Sequence, residues 1–233
     1  MIVNLETQCY EKNWEYVIKT NKILNLVENS SFNFNKITLF INNVNKHDLV
    51  SKEADKLIKN KIIDDFIIVK DYAEEALDFF NIDINYFSGG YYCSISEIVS
   101  IYLTKSDYLV HFSADSDLLN KYNWIDDSIK EMDKNSNIIV SCPSWTNNIN
   151  KIREEQSSED ELFHYCQGFS DQAFLIKTSE FKNKIYNEDN LISDSYYPKQ
   201  WGKSFERRIG AYIKNNNKIR IVSKNSFYEH KNL

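Results

Sequence analysis

The sequence predicts an α/β fold, with a mostly parallel central sheet flanked by helices. Two observations predict it. Strand-length apolar runs alternate with segments of helical period through the first half of the chain, which is the signature of βαβ units. Those runs are also continuously apolar, with no in–out alternation, as expected of strands covered on both faces.

The elements follow in order. Met1 to Leu5 reads as the first strand, and Trp14, Val17, Ile18, Leu24 and Val27 as the next helical stripe, interrupted at Asn21. Ile37 to Ile41 is the second strand, followed by a stripe at Val50, Ala54, Leu57 and Ile58. Phe66 to Val69 is the third, followed by Ala73, Ala76, Leu77 and Phe80. Ile95, Ile98, Val99 and Tyr102 fall at i, i+3, i+4, i+7 and lead into a fourth strand, Tyr108 to Phe112. Beyond residue 117 the pattern loosens. A helix is expected over Tyr122 to Met132, then strands at Ile138 to Cys142 and Gln172 to Ile176. The polar stretch 147–161 reads as a flexible loop or exposed helix, and 183–195 as a second polar stretch. A helix carrying Phe205, Ile209, Tyr212 and Ile213 precedes a strand at Lys218 to Val222 and the tail Tyr228-Glu229-His230. With no repeat or linker, residues 1–233 are expected to form one domain. Residues 1–117 are its regular half, resembling a nucleotide-binding sheet, and 118–233 an irregular substrate-binding half.

Composition excludes several classes. The chain has 233 residues with 28 Lys+Arg against 34 Asp+Glu, a formal charge of −6. That balance argues against a nucleic-acid partner, which needs clustered cations. Nothing in it is a membrane-spanning run, and the start Met1-Ile-Val-Asn-Leu-Glu lacks a signal peptide's basic segment and cleavage site, so a cytoplasmic protein is expected. With five Gly in all, and only Gly89-Gly90 adjacent, neither a GxGxxG loop nor a Walker A loop can be written. Cys9, Cys93, Cys142 and Cys166 lack CxxC spacing and read as reduced thiols packed as small hydrophobes.

The informative segment is Tyr108-Leu-Val-His-Phe-Ser-Ala-Asp-Ser-Asp, where an apolar strand runs into Asp115 and Asp117. In extended backbone residues i and i+2 project to one side, so both carboxylates are expected to face one ligand at the carboxyl edge of the sheet. Paired hard oxygens suit Mg²⁺ or Mn²⁺, which complete their shells with water and phosphate.

The element order, the strand ending in Asp-x-Asp and the His near residue 230 together resemble GT-A-fold glycosyltransferases, in particular bacterial family 2 glycosyltransferases. The stretch Ile84-Asn-Tyr-Phe-Ser-Gly-Gly-Tyr-Tyr-Cys-Ser-Ile-Ser-Glu-Ile is similar to that family's glycine-containing approach to the Asp-x-Asp strand. The resemblance implies a metal-dependent, inverting transfer of a sugar from a nucleotide-sugar, expected to be a UDP-sugar, to a glycan or lipid-linked saccharide, as in polysaccharide biosynthesis. By the same resemblance, Asp115, Ser116 and Gly89 would contact the donor, and Asp117, Asp115 and His230 would hold Mn²⁺ or Mg²⁺. Thr7, Gln8 and Asn42 fall where the base is held. Glu206, in Trp201-Gly-Lys-Ser-Phe-Glu-Arg-Arg, is the candidate base for the acceptor hydroxyl, with Glu188-Asp189 a competing match. Peripheral docking at the inner membrane face is a further inherited expectation.

The chain departs from the family in three places. Glu6-Thr7-Gln8-Cys9 stands for a Pro-x-Tyr-Asn-like turn, Asn42-Asn43-Val44-Asn45 for Asp-Asp-Gly-Ser, and Ser94 lies near where an Arg is common. Other readings stay open beside these roles. Glu206 also suits a helix's first turn, His111 a core position, and Trp145 and Trp201 either structural packing or sugar stacking. At most one of Arg207 and Arg208 can clamp phosphate, since neighbours on a helix diverge by about 100°; Asp171 is a candidate for sugar or acceptor contact. A non-catalytic sugar- or nucleotide-binding module and a sugar-phosphate nucleotidyltransferase are the alternative functions, though the latter needs a glycine-rich N-terminal loop that residues 5–20 lack.

Overall fold

The computed structural model describes residues 1–146, 149–196 and 199–231. Its first half follows the alternation in the sequence. Strands β1 (Val3–Cys9), β2 (Lys36–Ile41), β3 (Asp65–Ile68) and β4 (Tyr108–Phe112) are parallel, in the order β3-β2-β1-β4. The first helical stripe divides near Asn21 into α1 (Trp14–Lys19) and α2 (Lys22–Ser30). Helices α3 (His47–Lys59), α4 (Ala73–Phe80) and α5 (Ile95–Leu103) complete this half. Every residue of α5 from Ile95 to Ile101 is buried, Glu97 included.

The second half turns the sheet mixed. A three-residue strand β5 (Ser116–Leu118) follows β4 across a turn, and α6 (Trp124–Lys134) starts where the Asn123 side chain accepts the Asp126 N–H. Strands β6 (Ile138–Trp145), β7 (Gln156–Glu159), β8 (Phe163–Cys166) and β9 (Ala173–Lys177) extend the order to β4-β9-β6-β10-β8-β7, where β10 is Ile219–His230. Strand β9 is antiparallel to both β4 and β6, while β10 runs parallel to β6. The polar stretch after β6 contains α7 (Ile149–Glu155) and β7, with Asn147 and Asn148 outside the described residues. Short helices α8 (Thr178–Phe181) and α9 (Leu191–Tyr196) precede α10 (Phe205–Asn215).

One feature of the second half was not in the sequence pattern. The expected tail 228–230 is the end of β10, a twelve-residue strand. Its first part pairs with β8, and after a register shift between Val222 and Phe227 its last part pairs antiparallel with β5, His230 opposite Ser116. Polar residues Ser223, Lys224 and Asn225 break the apolar run at that irregularity, which hides the strand's continuation from a periodicity reading.

Apolar layers cover both faces. Phe80, Ile98, Phe174 and Phe205 belong to one cluster, joining α4, α5 and α10 to the sheet. Leu5, Val110, Trp124 and Met132 belong to another, under α6. The Gly89-Gly90 pair serves packing. A Cβ at Gly90 would collide with the Trp201 carbonyl, and one at Gly89 would stand 3.1 Å from the Gln200 carbonyl. From the other side Gly202, at φ +58°, lies against the carbonyls of Tyr86 and Phe87. Gly90→Ala is therefore expected to cost about 1–3 kcal/mol through overpacking, measured as a lower urea midpoint, and to shift the Trp201 fluorescence.

Candidate active site

The carboxyl ends of β1, β2 and β4 open into a cavity of about 530 Å³. Open α/β sheets bind ligands at this edge. Gln8 at the end of β1, Asn42 just after β2, and Ser113, Ala114 and Asp115 just after β4 line it. From the second half come Asp171, Gln172, Trp201, Glu206 and His230.

Asp115 and His230 meet because β5 and β10 pair. The Lys231 N–H donates to the Asp115 carbonyl at 2.7 Å, which fixes the strand end. His230 Nε2 then stands 3.1 Å from Asp115 Oδ2, while Ser113 Oγ donates to Asp115 Oδ1 at 2.9 Å. The Trp145 ring packs edge-on against the imidazole, with centroids 6.3 Å apart.

Glu206 is positioned by the start of α10. The Ser204 side chain caps the helix by accepting from the Arg207 N–H, and the Phe205 N–H donates to Ser94 Oγ at 2.9 Å. This fastens the start of α10 to the start of α5 and sets Glu206 at the edge of the cavity. Glu206 and Gln172 also line a smaller cavity of about 100 Å³, which Trp145, Phe169 and Arg220 enclose with them. Glu206 thus stands where two cavities meet.

No family model and no curated protein matches this sequence. Among solved structures the chain is similar to GalNAc-T7 with UDP, GalNAc and Mn²⁺, at TM-score 0.58 and 11% identity over 98% of this chain and 43% of that one. It is also similar to residues 1–349 of S. aureus TarS in complex with UDP-GlcNAc, at TM-score 0.54 and 13% identity over 100% of this chain and 60% of that one. The fold is the GT-A fold of glycosyltransferases. The chain spans 43% and 60% of these two longer chains.

On this GT-A framework the residues singled out in the sequence separate into two groups. Gln8, Asn42, Asp115, Glu206 and His230 share the large cavity, with Asp171 and Trp201. Thr7, Ser116, Gly89 and Asp117 are elsewhere. Thr7 Oγ1 donates to the Phe112 carbonyl at 2.8 Å, bracing β1 to β4. Ser116 is fully buried, its hydroxyl 2.7 Å from that of Ser113. Gly89 packs on Gln200 as described.

Asp117 corrects the expectation that the two carboxylates share a face. Residues 114 and 115 form a turn, not extended backbone, so the i, i+2 rule does not carry across them. Asp117 instead lines a separate cavity beside α2, hydrogen-bonded to Lys22 Nζ at 2.9 Å and held by Tyr16 and Lys231. Burial opposes its ionisation, but the Lys22 ammonium and the hydrogen bonds from Lys231 and Tyr16 outweigh that and hold the carboxyl down at about 2. Lys22 is itself buried and its pKa is lowered by burial, with Asp117 acting against the shift. Removing one partner of a buried pair strands the other charge. Asp117→Asn is accordingly expected to destabilise the fold by about 3 kcal/mol, read from urea unfolding.

The Arg pair and the competing acids are also engaged in packing. Arg207 Nε pairs with Asp194 at 2.5 Å, and Arg208 donates to the carbonyls of Lys203 and Tyr186, both at 2.7 Å. Glu188 accepts from Asn215 and Asn216, and Asp189 pairs with Lys203. Cys9, Cys142 and Cys166 are buried as expected, whereas Cys93 is exposed and lines the large cavity. Among the described residues no helix is long and apolar enough to cross a membrane.

A divalent cation fits the residues present in part. Among the described residues no three His, Cys, Asp or Glu side chains converge as a cage. Asp115 and His230 supply two donors, and Mg²⁺ or Mn²⁺ is commonly held by one or two carboxylates with waters and substrate phosphates. The lining favours such a cation. Glu97, Asp115, Asp171 and Glu206 face the cavity, and no lysine or arginine is among the described residues that line it.

Sequence reasoning missed Glu97, which lines the cavity, while His111 is buried behind it, as the core reading expected. Glu6 Oε1 lies 3.1 Å from His111 Nδ1 and accepts from Ser100 Oγ at 2.6 Å. The Phe174 ring stacks on the imidazole, with centroids 4.6 Å apart. The signal available was an acid inside the apolar helix stripe at residue 97.

Proposed function

We propose that this chain is a glycosyltransferase that moves a sugar from a UDP-sugar to a hydroxyl of a glycan or lipid-linked saccharide. The observation that carries the reading is the convergence, in one cavity at the carboxyl edge of a GT-A sheet, of the Asp115–His230 pair with Glu206. The UDP and UDP-GlcNAc bound by the similar structures support the choice of nucleotide.

Asp115 and His230 would hold Mn²⁺ or Mg²⁺. When bound, the cation neutralises the charge that develops on the departing nucleoside diphosphate. Ser113 orients Asp115 through its hydroxyl, and the packing of Trp145 fixes the imidazole plane. Gln8 and Asn42 lie on the β1 and β2 side and receive the nucleoside. Glu206, at the junction with the smaller cavity, takes the proton from the acceptor hydroxyl as it attacks the anomeric carbon from the face opposite the leaving group, giving inversion. Trp201, 43% exposed at the cavity, offers a ring face for a sugar.

The test is release of free nucleotide from UDP-, GDP-, CMP- and dTDP-sugars with Mn²⁺ or Mg²⁺. Slow cleavage of a UDP-sugar that EDTA stops is expected. Binding without cleavage, with acceptor saccharides present, would favour a non-catalytic module. No binding of any donor in a thermal-shift titration would refute the proposal.

A further inference from the structure

The cavity floor holds a group that the proposed transfer leaves unused. Glu97 lies in the buried apolar run of α5, is 1% exposed and lines the cavity. Its Oε1 accepts from Gln8 Nε2 at 2.8 Å, whereas its buried Oε2 has no hydrogen-bond partner. An ionised carboxylate left in that state carries a large desolvation penalty, which a proton removes.

Acidic neighbours of Glu97 favour the neutral form, and His111 opposes it. Glu6 approaches from β1, Asp171 from the segment before β9, and Cys93 from the turn before α5. The nearest base is His111 on β4, with its Nε2 3.7 Å from Glu97 Oε1.

We propose that Glu97 acts in this cavity as a neutral carboxylic acid whose Oε2–H, sealed beneath the cavity wall in the empty site, turns outward when a nucleotide-sugar binds and donates a hydrogen bond to one of its acceptor oxygens, either a base carbonyl or a sugar hydroxyl. Gln8 gives its Nε2 to Glu97 and retains its Oε1 as an acceptor, so the pair offers a donor and an acceptor side by side. The inference rests on the donor-binding reading above.

The titration of the floor agrees with this geometry. Burial, opposed by His111 and reinforced by Asp171 and Glu6, pushes the Glu97 carboxyl up to about 8. Burial raises Glu6 well above its ordinary value and Asp171 to about 6, and lowers His111. Because Glu97 keeps its proton below about 8, its hydrogen bond is present there and is lost as pH rises through that value. Neutral carboxylic acids held by apolar surroundings donate in this way.

The test is calorimetric titration of the full chain with UDP and with UDP-GlcNAc, in Mg²⁺, from about pH 6.5 to 8.8, which brackets the titration. Wild-type affinity is expected to fall about fivefold over that range, in step with the protonated fraction of a group titrating at about 8. Glu97→Gln, whose amide donates at every pH, should bind as wild type does at the low end and lose that fall. Glu97→Leu should bind weakly throughout. A fall already present with UDP identifies a base carbonyl as the acceptor, and one confined to UDP-GlcNAc identifies a sugar hydroxyl. Identical pH profiles for wild type and Glu97→Gln would overturn the inference alone. Failure of every variant to bind either ligand would overturn the donor-binding reading as well. Melting curves confirm folding, and Glu97→Gln keeps the test valid if Glu97→Leu does not fold.

Discussion

Asp115→Asn is expected to lower nucleotide release from the donor by at least about 100-fold at saturating Mn²⁺, the scale of losing one electrostatic contact to a transition state. The substitution keeps shape and one acceptor oxygen, so Ser113 retains a partner. What it removes is the negative charge that faces His230 at 3.1 Å and that a cation would require. Folding should be little affected, because Asp115 is tied into the sheet chiefly through its backbone carbonyl. His230→Ala should produce a comparable loss, and the double variant should be only slightly worse than either single one, since both act on one centre. Steady-state kinetics with a manganese titration checks this. A loss below tenfold would remove Asp115 from the chemistry.

Glu206→Gln is expected to reduce kcat by roughly 10²- to 10⁴-fold, the usual contribution of a positioned base. The KM for donor should change little, because the side chain sits at the junction of the two cavities and not on the β1 and β2 side. Glu188→Gln serves as the comparison. Glu188 hydrogen-bonds Asn215 and Asn216, and its replacement should leave kcat within about threefold of wild type, as for a surface change of under 1 kcal/mol.

The regular half of this fold was legible because burial on both faces writes itself into continuous apolar runs. Strands at 36–41, 65–68 and 108–112 fall within a residue of their expected bounds. Asp115 and His230 were singled out from residue type and order, and the structure brings them together at 3.1 Å in one cavity. Asp117 was misplaced because the inference assumed extended backbone, and the turn at residues 114–115 rotates the two carboxylates apart. Gly89 looked like a ligand contact, yet its neighbour Gly90 shows what the pair is for, the close approach of Trp201. Glu97 was hidden by its surroundings. An acid flanked by Ile95, Ile98 and Val99 leaves the helical period intact, and only the third dimension shows that it lines a cavity with one carboxyl oxygen buried and without a hydrogen-bond partner.

The pairing of β10 with β5 has a consequence for the order of folding. Strands β1, β2 and β3 pair with their neighbours in the chain, all before residue 69. His230 lies far along the chain from Asp115 and reaches it only when β10 pairs with β5, through the bond from Lys231 to the Asp115 carbonyl. Contacts so distant in sequence carry a high loop-closure entropy and form late. The Gln8–Asn42 side of the cavity, carried by β1 and β2, is thus shaped from local contacts before the Asp115–His230 pair exists. A partly folded chain can carry a formed Gln8–Asn42 surface and still lack the pair, so catalytic competence reports on completion of the whole sheet.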